Sequence, residues 1–323
     1  MNHKGIRVSI LIVNYFSESH IFEQIAALSA PNIEFIITDN SQTFPENGYL
    51  TTNTRVIKAT HNLGFAVAVN KASELSNGEY LFILNPDVRI ELNVLMSLID
   101  AADEMLTVGV ISPRLIEMKQ SQNFLNGGKF PKILPIFMHF SGVSKLAGRF
   151  PFLSGFLATK PKRQKNYLKM DWVSGASMLM HKEFFRELGG FSEEWFMYSE
   201  DIELCLRIIK AGKSVVIANN LEAIHFGQES DTRKKAGDDS INVMWLINLA
   251  DLYYKYFSRK SQIMYTVWCL IVSYGFATRL IYFRLRYSRQ SKRNKKLQTN
   301  IERMTAYFKC SMHLISNPPS LVR

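Results

Sequence analysis

The sequence predicts an α/β protein with a mostly parallel central sheet flanked by helices and a helical C-terminal extension. Three observations predict it. Short β-branched apolar runs alternate with helical stretches over residues 1–117, the pattern of βαβ units with right-handed crossovers. Each of the first four runs is followed by Asn or Asp. The last third reads as long helices, first amphipathic and aromatic, then apolar, then basic.

The run RVSILIV (7–13) is apolar and β-branched, as a buried parallel strand requires. Ser17 is placed to cap a helix reaching Leu28. IEFIIT (33–38), RVIKA (55–59) and EYLFIL (79–84) supply three more strands, with helices at 65–75 and 91–105 and a further strand at VGVIS (108–112). DWVSGASMLMHKEFFRELGGF (171–191) reads as a strand, a short helix and a Gly-Gly stop. Ser199 is placed to cap a helix over 200–211 that ends at Gly212. Ile202, Leu206 and Ile209 form its apolar stripe, with Glu200, Glu203 and Arg207 on another face. SVVIA (214–218) is a further strand, with His225 just beyond it. The expected organisation is one domain over 1–235, carrying 118–170 as a basic and apolar insertion or flap, then a helical, basic, membrane-associating region over 236–323.

Composition narrows the class. The chain has 323 residues, 47% of them hydrophobic and 21% charged, which excludes whole-chain disorder and low-complexity repeats. Cys205, Cys269 and Cys310 lie far apart, so neither a disulfide framework nor a cysteine zinc site is expected, and a reducing compartment fits. The apolar run before Asn14 is too short for a signal peptide, so a cytosolic location is expected. The net charge of +11 is uneven: residues 118–170 hold ten Lys/Arg and no acid, and residues 279–301 hold eight and no acid. Interleaving of these cations with long apolar stretches favours an anionic membrane surface as partner over nucleic acid. Residues 118–170 suit an interfacial segment, a flap over a site, or both. Residues 261–278 are free of charge, the lower length limit for a spanning helix, and are followed by Arg279, Arg284 and Arg286. The expectation is an in-plane peripheral anchor, with a single span second and a buried core helix third.

The strand ends carry the chemistry. Asn14, Asp39, Asn62, and Asn85 with Asp87 follow the first four strands. Ligands bind at the carboxyl ends of strands in open α/β sheets. Any one of these residues is ordinary turn chemistry; four ends together make a polar crevice. It is not a standard dinucleotide site, since no G-x-G-x-x-G follows the first strand, and Gly212-Lys213-Ser214 is no P-loop because Arg207 stands where its first Gly belongs. In NPDV (85–88) the Pro turn presents a carboxylate that can hold Mg2+ or Mn2+, hard cations that share their shell with substrate phosphates. Asn85 can add a neutral oxygen or bind a ribose. Glu200-Asp201 complements a helix dipole or supplies a general base. His225 is structural, a further metal ligand or a phosphate donor.

The order of these features resembles inverting glycosyltransferases of family 2, with the GT-A fold, and within them the bacterial rhamnosyltransferases of surface polysaccharide synthesis. The matching segments are VSILIVNY (8–15), Asp39-Asn40-Ser41, NLGFAVAVNKA (62–72), LFILNPDVRI (81–90), DWVSGASMLMHKEFF (171–185), GGFSEEWFMYSEDIELCLRIIKAG (189–212) and AIHFGQES (223–230). The resemblance implies that the main chain around Val13 and Asn14, with Asp39, holds the pyrimidine base. It implies that Asn62 and the Gly64-Phe65-Ala66 turn approach the nucleotide, supported by Asn70. Asp87 would bind the cation bridging the diphosphate and His225 would close over diphosphate or metal. Asp201 would be the base with Glu200 beside it, and Trp172 with Ser174-Gly175-Ala176 would form the acceptor and sugar pocket. Asn85 departs from the general Asp-x-Asp pattern, as it does in rhamnosyltransferase-like members. The implied reaction moves L-rhamnose from dTDP-L-rhamnose, a nucleotide-activated sugar, to a hydroxyl of a lipid-linked saccharide at the cytoplasmic face of the membrane. The same fold with a UDP-hexose or UDP-galactofuranose donor is the alternative, and a non-catalytic membrane-binding protein is the alternative of another class.

Overall fold

The structure, a computed structural model, describes residues 5–45, 53–117, 125–159, 165–227, 240–289 and 295–318. The chain divides into two units, Met1–Gly128 with Arg163–Asp239, and Lys129–Lys162 with Ser240–Arg323.

The first unit is built on a mixed sheet whose first half is parallel. Strands β1 (Val8–Asn14), β2 (Ile33–Asp39), β3 (Thr54–Lys58) and β4 (Tyr80–Leu84) lie in the order β3-β2-β1-β4. All of β2 and β4 and nearly all of β1 are buried, which is why they read as continuous apolar runs and not as alternating ones. Helices α1 (Glu18–Leu28), α2 (Phe65–Glu74) and α3 (Leu92–Glu104) make the crossovers. Ile21 and Ile25 of α1 and Leu95 and Leu98 of α3 join Ile10, Phe35 and Phe82 of the strands in one core.

The second half departs from the expected layout. A short β5 (Val88–Arg89) follows the fourth strand directly, and β6 extends over Val108–Glu117. Gly175 breaks the stretch 171–181 into β9 (Trp172–Val173), which pairs with β7 (Gly127–Gly128), and β10 (Ser177–His181). β10 runs antiparallel between β4 and β6. After α5 (Lys182–Glu187) and α6 (Glu200–Lys210), β11 (Ser214–His225) lies parallel to β6, with an irregularity between Ala218 and Glu222 that carries the strand on to His225. β5 and β8 (Tyr167–Met170) both pair antiparallel with β11. Neither expected serine caps its helix through its side chain: the Ser17 hydroxyl donates back to the Tyr15 carbonyl, and Ser199 has a left-handed backbone, φ +79°. Ile209 is 37% exposed and lies off the buried face of α6, whose places are filled by Leu204, Cys205 and Ile208.

The second unit is helical: α4 (Ile133–Phe140), short 3-10 turns at 143–146 and 151–153, α7 (Met244–Tyr256), α8 (Gln262–Arg289) and α9 (Lys295–Ser316). Its core is aromatic. Tyr253 stacks on Trp268 at 5.2 Å, and the Trp268 indole donates to the Pro131 carbonyl at 2.8 Å. Phe140 fills the space over Gly275, where a Cβ would lie 2.2 Å from its ring. Residues 129–159, counted with the first region on sequence, therefore pack as part of the helical unit.

Candidate active site

The crevice begins with two buried side chains in register at the ends of β1 and β2. Asn14 donates to an Asp39 carboxylate oxygen at 2.8 Å and to the Ser41 hydroxyl at 3.0 Å. The same Asp39 oxygen accepts the Ser41 amide, and its other oxygen accepts the Phe44 amide at 2.9 Å. Asp39 is fully buried, so its carboxylate folds the 40–44 loop over the strand end; Val13, beside Asn14, is half-buried. Asn40 carries the lock onward: its amide donates to the Gly64 carbonyl at 3.0 Å and its oxygen accepts the Leu63 amide. Asn62 accepts the Gly64 amide at 3.0 Å. Gly64 has φ +78°, and a Cβ there would stand 2.2 Å from the Phe196 carbonyl oxygen, which accepts the Phe65 amide at 2.9 Å. Only glycine suits both the backbone and the approach.

The turn after β4 joins this frame from the other side. The Asn85 amide donates to the Ala176 carbonyl at 2.9 Å, and the turn closes with the Val88 amide on the Asn85 carbonyl. Gln24, a buried residue of α1, donates to the carbonyls of Asn85, Pro86 and Val88 at 2.8, 3.2 and 2.6 Å. Asp87 faces His225 across the end of β11, carboxylate oxygen to Nε2 3.4 Å. Burial opposes protonation of that imidazole, but Asp87, with Glu117 beyond it, wins and holds its pKa above the ordinary value. Among the described residues no three acids, His or Cys gather in a metal-binding cluster. A single carboxylate that leaves most coordination positions to phosphate oxygens and water fits Mg2+ or Mn2+.

The third wall is the start of α6. The Gly175 amide donates to one Asp201 oxygen at 3.0 Å and the Ile202 amide to the other at 2.8 Å. A Cβ on Gly175 would lie 3.3 Å from the Phe65 ring and 3.4 Å from the Asp201 Cβ, so α2, the 174–176 turn and α6 converge there. The Ser174 hydroxyl accepts the Ala176 amide and shapes that turn. Glu200 is buried, and one of its oxygens has no hydrogen-bond partner among the described residues. Burial first, then the charge of Asp201, lifts its pKa well above the carboxylate range. Burial lifts Asp201 too, against its two amide donors. The two amide donors favour the ionised form of Asp201, a support that the unpartnered Glu200 oxygen lacks among the described residues.

Phe65, Asn85, Ala176, Gly175 and Asp201 are thus linked through direct contacts, with Asp87 and His225 paired at the end of the same sheet. Asn70 is engaged elsewhere: it bonds both backbone groups of Phe191 and the Glu193 carboxylate, and so holds the turn leading towards α6. Trp172 is 7% exposed, in β9 just before the 174–176 turn. Sequence reasoning assigned no role to Gln24, and it made Ser199 a cap without foreseeing the positive-φ backbone of Tyr198 and Ser199 that aims α6. A glutamine inside a helix carries no signal, and neither do two non-glycine residues in a left-handed conformation.

A family profile described as Glycosyl transferase family 2 matches residues 9–188. The chain is 25% identical over 244 residues to the N-acetylglucosaminyl-diphospho-decaprenol L-rhamnosyltransferase of Mycobacterium tuberculosis, covering 70% of this chain and 78% of that protein. It is 25% identical over 238 residues to rhamnosyltransferase WbbL of Escherichia coli, covering 69% and 85%. The solved mannosyltransferase of Pyrobaculum calidifontis, in complex with GDP-Man and Mn2+, superposes with a TM-score of 0.51 at 13% identity over 98% of this chain and 88% of that one. This last likeness is one of fold.

Proposed function

The chain belongs to glycosyl transferase family 2, and on that basis we propose that it transfers L-rhamnose, with inversion, from dTDP-L-rhamnose to a hydroxyl of a lipid-linked saccharide at the cytoplasmic face of the membrane. Its fold is that of the GT-A glycosyltransferases and it is a hexosyltransferase. The observation that carries the proposal is the bond from the Gly175 amide to Asp201, which sets one ionisable carboxylate against the turn before β10. The names of the mycobacterial and Escherichia coli relatives supply the donor sugar, and the mycobacterial name supplies the lipid-diphosphate acceptor.

Asp201 takes the proton of the acceptor hydroxyl as that oxygen attacks the anomeric carbon, work worth ~10²–10⁴-fold. Displacement from the face opposite the leaving diphosphate inverts the configuration in one step, so a single base suffices. Burial and the charge of Asp201 favour the neutral form of Glu200 beside that base. When bound at Asp87, beside His225, Mg2+ or Mn2+ supplies neutralisation of the charge that develops on the diphosphate. The 40–44 loop and the Asn62–Phe65 turn form the nucleotide side, and Trp172 backs the acceptor side. The partners of the reaction are the nucleotide sugar, the lipid-linked acceptor and an anionic membrane surface; nucleic acid is not among them.

The test is a donor panel. Purified protein with a lipid-diphosphate saccharide is given dTDP-L-rhamnose, UDP-hexoses and UDP-galactofuranose in turn, and nucleotide diphosphate release and product anomer are read. Transfer from dTDP-L-rhamnose with inversion is expected. Preference for a UDP-sugar, or a retained anomer, would overturn the reading.

A further inference from the structure

We propose that the outward face of α8 lies flat in an anionic lipid surface and does not cross it. The helix is apolar on two sides. Tyr265, Trp268, Cys269, Val272, Phe276 and Leu280 are buried inside the helical unit. On the other side Ile263, Val267, Leu270, Tyr274, Ile281 and Leu285 are 78, 39, 51, 60, 58 and 56% exposed. These positions recur at helical spacing, so they form one strip ~33 Å long at 1.5 Å per residue. A continuous apolar strip of that length in water marks an interaction surface.

By length and composition Gln262–Tyr287 could cross a membrane, with a mean hydropathy of 1.4. Its neighbour argues against crossing. α9 runs antiparallel along α8, with the Ser273 hydroxyl donating to that of Ser311 at 2.9 Å and Phe276 against Tyr307 at 5.3 Å. In that register Lys309 stands level with Tyr274, at the middle of the apolar stretch, and Glu302 and Arg303 stand level with Ile281 and Tyr282. All three charged residues are exposed. A spanning α8 would carry them into hydrocarbon. A flat α8 buries only its strip.

Charge selects the occupant. Arg284 and Arg286 are exposed at the end of the strip, and the eight Lys/Arg of 279–301 have no acid among them. Apolar insertion and attraction to lipid phosphates add, and together they give attachment where either alone is readily reversed. This surface deepens the lipid-linked acceptor reading, on which it rests for its purpose.

Flotation of the full chain tests it, with vesicles of phosphatidylcholine alone and of phosphatidylcholine mixed with phosphatidylglycerol. The chain is expected to float with the mixed vesicles at low salt and to be released at high salt. Arg284→Gln with Arg286→Gln should weaken partitioning about fivefold per arginine at low salt. Leu270→Glu with Ile281→Glu should abolish flotation while dTDP release from dTDP-L-rhamnose in solution stays at the parent rate, which shows that the fold survives. Failure of the parent to float, flotation that survives both glutamates, or extraction by detergent alone would overturn the proposal. So would a dimer in sedimentation that the glutamates abolish without any vesicle binding. A chain that floats but turns over no nucleotide sugar would sink the enzymatic reading and leave the surface standing.

Discussion

Asp201 and Glu200 are neighbours in sequence whose carboxyls differ in their partners: Asp201 accepts two backbone amides, and one Glu200 oxygen has no partner among the described residues. Asp201→Asn keeps the shape and removes the base, so kcat should fall at least ~10²-fold with donor affinity nearly unchanged in calorimetry. An equal loss of donor binding would count against the assignment. Glu200→Gln should act on stability instead. The folded chain binds the Glu200 proton more tightly than the unfolded chain does, because burial and Asp201 raise its pKa. That contribution is full below the unfolded pKa and is lost as pH rises through the folded value. The melting temperature of Glu200→Gln should therefore match the parent at acid pH and exceed it increasingly above the ordinary carboxylate range. A tenfold difference in proton affinity corresponds to about 1.4 kcal/mol. A pH-independent difference would refute it. Gln24→Met preserves bulk but removes the donor to three carbonyls beneath Asp87. The amide has two hydrogens to give, so at about 1 kcal/mol per lost bond the Mn2+ concentration for half-maximal activity should rise by up to roughly thirtyfold while kcat at saturating Mn2+ holds. A fall in kcat alone would place Gln24 elsewhere in the mechanism.

Among the elements, α6 depends on an ion pair for its seat. Arg207 bonds the buried Glu203 carboxylate and reaches the carbonyls of Leu188 and Gly190, tying the helix to the turn that Asn70 holds from the other side. Arg207→Met leaves Glu203 buried without its cation. The expected cost is about 3–5 kcal/mol in urea unfolding, and a loss under 1 kcal/mol would show that the pair is solvated. The first-half strands and most helices were legible in sequence because apolar runs and helical periods survive translation into structure with few exceptions. The direction of β10 was not, since a run such as SMLMH reads the same in either orientation. The capping roles given to Ser17 and Ser199 were overridden by the turns that precede α1 and α6. Asn14, Asp39, Asn62, Asn85 and Asp87 were visible as strand ends. The Asn70 contacts and the Gln24 cradle lie 121 and 61–64 positions away along the chain, beyond the reach of any local pattern.

For the whole molecule, the grouping of 129–159 with the C-terminal helices was hidden for the same reason: Phe140 and Gly275 meet only in three dimensions. Ligand linkage gives a test at this scale. At one hundred times Kd, dTDP with Mn2+ should stabilise the chain by about 2.7 kcal/mol, and excess EDTA should remove most of that gain. A gain unchanged by EDTA would separate nucleotide binding from the cation.

The placement of β10 between β4 and β6 also has a consequence in time. On the ribosome, Tyr80–Leu84 emerges long before Ser177–His181, its partner on that side. At ~5–20 residues per second the edge of β4 waits roughly 5–20 s for its neighbour. During that wait an apolar edge with unpaired backbone groups is open to other nascent chains. Synonymous codons that slow translation of residues 85–176 lengthen the wait, so the yield of soluble chain depends on the pace at which this stretch is made as well as on what it encodes.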